Sequence, residues 1–157
     1  ADNSAPEIAA ISKNIVLKRR YKTEADFAWA QEIAKDMDSH NAMDRAFATE
    51  YLENDDDVSP EIPFEIHTIR LGDWAIVGLP SEIFTDVGRR IKTASPFENT
   101  VIFELANGTH GYISTQIVQE STAYEAKVSK YNACTAKDSA DRIVEATLKQ
   151  LEELKNV

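Results

Sequence analysis

Between Phe64 and Leu79 the chain spells out a β-hairpin that constrains everything packed around it. Phe64–Leu71 is followed by Gly72-Asp73, a two-residue turn signal, and then by Trp74–Leu79, so the two runs are expected to pair antiparallel. Trp74, Ala75, Ile76 and Val77 are apolar in succession, which predicts a central strand covered on both faces. Pro80-Ser81-Glu82 then turns the chain into a helix with Ile83, Phe84, Val87 and Ile91 as its inner stripe, stopped by Ser95-Pro96.

The remaining segments supply neighbours for that strand. Residues 1–12 read as a loose leader containing Pro6, and Lys13–Tyr21 as a strand around Ile15, Val16 and Leu17. Thr23 is an N-cap candidate, with Glu24 and Asp26 in the first helical turn. Phe27, Ala30, Ile33, Ala34 and Met37 recur at helical spacing and predict a helix through residue 38. A second helix is expected over Ala42–Glu53, then an exposed acidic connection at Asp55-Asp56-Asp57, which lacks the spacing and glycine of a calcium loop. Val101–Ala106 reads as another strand, and from Lys137 a helix buries Ile143, Val144, Leu148, Leu151 and Leu154. The expected fold class is α/β: one domain over residues 1–157, with a central mixed sheet of about four strands covered by helices.

Charge narrows the function. With 17 Lys+Arg against 27 Asp+Glu the formal charge is −10, which argues against a nucleic-acid partner, since phosphate binding relies on cationic neutralisation. Nowhere do about 18 consecutive apolar residues occur, so no transmembrane segment is expected. The single cysteine, Cys134, excludes an internal disulfide and has no His or second Cys beside it to suggest a metal site. The start at Ala1, without an initiator Met, suggests a processed chain or a piece of a longer one.

Three segments could carry chemistry. Glu82, in Leu79-Pro80-Ser81-Glu82-Ile83-Phe84, would stand where a strand meets a helix at the end of a sheet, a common ligand position. The plainer account is an acid complementing a helix dipole. Leu105-Ala106-Asn107-Gly108-Thr109-His110-Gly111-Tyr112 leaves a buried strand for a loop with a histidine, a tyrosine and two glycines. His110 lacks the HxH or HxxxH spacing of a ligand pair and reads alone as a solvated loop residue, as His67 reads as a solvent-face strand residue. Tyr124, in Ala123-Tyr124-Glu125-Ala126, is unremarkable alone.

In succession the segments say more. "IHTIRLGDWAIVGLPSEIFTDVGRRIKTASPF", then "LANGTHGYIST", then "AYEA", with Tyr124 12 positions after Tyr112, resemble the later part of the catalytic domain of the neutral/alkaline non-lysosomal ceramidases. The resemblance covers roughly residues 62–126, and the final helix fits it too. It implies that Glu82 and Tyr112 are zinc ligands and that Tyr124 orients the reacting amide. The full protein would then be a zinc-dependent hydrolase of linear amide C–N bonds, with a lipid-like N-acyl amide substrate such as ceramide. Glu82 and Tyr112 would leave neighbouring strands at one edge, so that their oxygens converge on one cation.

The chain departs from that family in three ways. Ser81 stands where glycine is frequent, Ser121-Thr122-Ala123 replaces a glycine-rich lead, and the two histidine ligands have no counterpart, since neither His67 nor His110 matches their positions. Zinc is therefore expected in the full-length parent, and the chain alone is expected to bind none and to be inactive. The missing N-terminal part of the same protein would be its partner. The resemblance also leaves an exported or periplasmic location open. The competing reading is a non-catalytic binding or scaffold module that keeps the fold without the metal.

Overall fold

The computed structural model describes residues 6–53 and 58–157. Strand β1 (Ile8–Lys18) leads into helices α1 (Glu24–Ala34) and α2 (Ala42–Glu53). The hairpin β2 (Glu61–Leu71) and β3 (Trp74–Gly78) follows, then a two-residue strand β4 (Glu82–Ile83) and helix α3 (Thr85–Ala94). Strand β5 (Asn99–Phe103), a second two-residue strand β6 (Tyr112–Ile113), the short helix α4 (Gln116–Gln119) and the long helix α5 (Ser139–Lys155) complete the order.

The main sheet runs β1-β2-β3-β5, and β4 and β6 form a separate small ladder. β1 and β3 both pair antiparallel with β2, whereas β5 joins β3 in parallel through the α3 crossover, so the sheet is mixed as the sequence predicts. Gly72 makes the hairpin possible by adopting φ 59°, a left-handed value that glycine reaches without a Cβ penalty. Pro63 interrupts nothing. It pairs with Val16 in a stretch of β2 that β3 does not reach, leaving no ladder partner for the missing N–H on that side.

Alternation along the strands sorts side chains into two faces. Ile62, Phe64 and Ile66 of β2 and Ala75 and Val77 of β3 are buried with Val87 and Ile91 of α3 and Ile143, Leu151 and Leu154 of α5. Each fully buried side chain of this size contributes about 1.5–3 kcal/mol. The opposite face carries Ile8, Ile69, Leu71, Trp74 and Phe103, all 41–73% exposed. The expectation that β3 is covered on both sides therefore fails: α3 and α5 dress one face only.

α1 and α2 pack on each other around a second, separate cluster of Ala30, Ile33, Phe47, Ala48 and Tyr51. Thr23 caps α1 through a reciprocal box with Asp26, as expected, and α2 keeps its expected bounds. Its entry is held by Asn41, whose side-chain oxygen accepts the Asp44 N–H at 2.9 Å.

Several boundaries differ from expectation: β5 covers Asn99–Phe103 rather than Val101–Ala106, β2 starts at Glu61 rather than Phe64, and β1 ends at Lys18 rather than Tyr21. β1 begins at Ile8, so residues 8–12 are strand rather than leader; Ile8 and Ile11 gain ladder partners in Leu71 and Thr68. α1 stops at Ala34 and gives way to a 3-10 turn at Met37–Ser39, leaving Ala34 exposed. The turn after Leu79 does not open a helix at Glu82: α3 starts only at Thr85. Residues 1–5 and the acidic run at 55–57 lie outside the described residues.

Candidate functional site

β3 and β5 are parallel, so both leave the sheet at the same end, and the chain after each one is laced to the other. The Leu79 N–H donates to the Phe103 carbonyl at 3.0 Å, Ala106 N–H to Leu79 O at 3.0 Å, Leu105 N–H to Ser81 O at 3.2 Å and His110 N–H to Pro80 O at 2.9 Å. Leu105 and Asn107 take left-handed φ values of 52° and 63° within this loop. The lacing ends in the β4–β6 pair, where Glu82 N–H donates to Gly111 O and Phe84 N–H to Ile113 O, each at 3.0 Å.

That register sets Glu82 directly opposite Tyr112. Neighbours across a strand pair point to the same face, so carboxylate and phenol emerge side by side. The Glu82 carboxylate, first as a hydrogen-bond acceptor, then burial and the neighbouring negative charge push the Tyr112 phenol pKa up to about 12. Placing Glu82 in a strand corrects the plainer account of its position, since it does not belong to the first turn of a helix.

Tyr124 joins them from a 3-10 turn at Tyr124–Ala126. Its ring stands edge-on to that of Tyr112, centroids 6.0 Å apart at 82°. Phe84 meets the Tyr112 ring at 6.2 Å, and Phe47 of α2 meets Tyr124 at 5.8 Å, so the phenols sit in an aromatic row. Beside Tyr124 a cavity of about 270 Å³ opens between α2 and the loop at 129–132, lined by Met43, Ala46, Phe47 and Tyr131 among others.

The three residues singled out from the sequence, Glu82, Tyr112 and Tyr124, are thus brought together. The histidines are not. The His110 ring lies tilted against that of Phe64, centroids 5.8 Å apart, and burial, then the nearby Arg19 charge, lowers its pKa. His67 lies on the open sheet face, its Nε2 3.0 Å from a Glu65 carboxylate oxygen. Cys134 is buried, its thiol donating to the His110 carbonyl at 3.0 Å, with burial raising its pKa. Among the described residues no cluster of three or more His, Cys, Asp or Glu could hold a metal ion. The oxygens of Glu82 and Tyr112 are donors of a type that suits zinc, and a catalytic zinc takes three protein ligands.

Sequence reasoning missed Phe47 and Asn132. Phe47 lies on a helix whose own periodicity explains it. Asn132 falls in a polar stretch with no local signal, yet it is 5% exposed and bonds to the segments carrying both tyrosines.

No protein-family model and no curated protein sequence matches the chain. Among solved structures it is similar to a neutral ceramidase from Pseudomonas aeruginosa, with TM-score 0.49 and 18% identity over 55% of this chain and 14% of that one. It is also similar to a structure described as "Ceramidase complexed with C2", with TM-score 0.52 and 18% identity over 62% of this chain. The chain spans 15% of that second structure's length, and the likeness is one of fold: a mixed α/β unit resembling part of a ceramidase.

Proposed function

We propose that this chain is part of a zinc-dependent amide hydrolase resembling neutral ceramidase, with Glu82 and Tyr112 as metal ligands and Tyr124 orienting the reacting amide. The observation that supports this reading is the Glu82–Tyr112 pair, set side by side by the two-residue ladder with the Tyr124 ring against it. Two histidines from polypeptide beyond these 157 residues would complete the ligand set. Zinc held there would supply Lewis acidity toward an amide carbonyl and lower the pKa of water.

The chain's own groups have distinct tasks. Tyr112 is protonated at neutral pH even at its ordinary pKa of 10.0, and Glu82 helps push that value up to about 12, so ligation as a phenolate would have to release the proton. Tyr124, 44% exposed, is free to donate its hydroxyl to the amide oxygen as negative charge develops there. The apolar wall of Met43, Ala46 and Phe47 beside it supports a lipid-like N-acyl amide as substrate.

Two measurements test this. In the protein that supplies the histidines, Glu82→Gln removes both zinc and amidase activity; a parent that is inert and metal-free before mutation supports the scaffold reading instead. The 157-residue chain alone, titrated with zinc in a calorimeter, binds weakly and hydrolyses no amide. Tight, stoichiometric zinc binding by the chain alone would overturn the ligand assignment.

A further inference from the structure

We propose that Asn132 is a positioning residue that sets the separation of Tyr112 and Tyr124. Its side-chain nitrogen donates to the Tyr124 carbonyl at 2.8 Å and to the Lys127 carbonyl at 2.9 Å, using both amide protons on the turn that carries Tyr124. Its backbone carbonyl accepts the Tyr112 N–H at 3.0 Å. One buried residue thus grips the backbone of both phenols.

The approach on the β6 side is close. A Cβ built on Gly111 would lie 1.6 Å from the Asn132 carbonyl oxygen, so the preceding glycine lets the two segments touch. Gly111 and Ala133 form an antiparallel bridge there, and Ala133 N–H also reaches Lys127 O at 3.3 Å. Arg20 holds the far side of the same turn, donating to Ala126 O at 3.2 Å and to Gln119 O at 3.0 Å. Arg20 steadies the turn as a body, whereas Asn132 ties it to Tyr112. An amide is required: an aspartate of the same shape turns carboxylate oxygens toward two carbonyls. The consequence for catalysis rests on the function proposed above; the geometry does not.

The experiment compares the chain with Asn132→Asp by NMR with labelled tyrosine rings, alongside thermal unfolding. The unmodified chain shows a ring-to-ring NOE between Tyr112 and Tyr124, and the variant loses it. A folded variant that keeps the NOE, or an unmodified chain that lacks it, overturns the proposal. Should Asn132→Asp fail to fold, the unmodified chain decides: its Asn132 side-chain amide protons exchange slowly and show hydrogen-bond couplings to the Tyr124 and Lys127 carbonyls. Exchange as fast as that of a solvated asparagine overturns the proposal. Neither readout involves zinc. A metal-free parent sinks the proposed function alone, and a retained NOE sinks the positioning role alone.

Discussion

Glu82 and Tyr112 face each other across a parallel pair only two residues long, and the carboxylate of one holds up the phenol pKa of the other. So short a ladder has little stability of its own. It persists because the loops on either side of it are laced to the ends of β3 and β5.

That pairing fixes a sign. Glu82 stabilises the neutral phenol by accepting its proton and opposes the phenolate by charge, so Glu82→Gln lowers the Tyr112 pKa from about 12 toward its ordinary value of 10.0. Tyrosinate absorbance in a pH titration reads the change. Because the folded pKa lies above the unfolded one, the associated stability is intact below pH 10.0 and is lost as pH rises to about 12. Glu82→Gln flattens that loss.

Two glycines separate strain from propensity. At Gly111, φ is 70° and an added Cβ overlaps the Asn132 carbonyl, so Gly111→Ala costs about 3 kcal/mol or more in chemical denaturation. Gly88 lies inside α3, where an added Cβ meets Ile102 Cδ1 at an ordinary 3.6 Å. Gly88→Ala there gains up to about 1 kcal/mol.

Gln150 fastens α5 to the sheet. Its buried Nε2 donates to the carbonyls of Ile11 at 2.8 Å and Ile66 at 2.9 Å, and to Thr68 Oγ1 at 3.1 Å. Gln150→Leu preserves volume but takes this donor from all three acceptors, a loss of about 1–3 kcal/mol in urea unfolding. The Tyr112 titration stays unchanged, since α5 makes no bond to the β4–β6 ladder.

What could be read from the residues was what their neighbours in sequence dictate. Gly72-Asp73 announces its hairpin, Thr23 with Asp26 its cap, and the period of Ile143, Val144, Leu151 and Leu154 the inner face of α5. β4 and β6 could not be read this way, because two residues carry no periodicity and their pairing joins segments 30 positions apart. The same limit hid Asn132, whose partners come from two separate segments, and the early start of β1, which depends on β2 as far as Leu71. Glu82, Tyr112 and Tyr124 were legible only through the order of their motifs, since each segment alone has a plain structural explanation.

Among the described residues, the aromatic cluster between α1 and α2 shares no buried side chain with the core beneath the sheet. Two cores built this way can open at different free energies, each as its own cooperative unit. Tyr124 straddles the seam, with Phe47 on one side and Tyr112 on the other. A transient detachment of the helical pair would strip one wall from the cleft and leave the carboxylate and phenol where they stand.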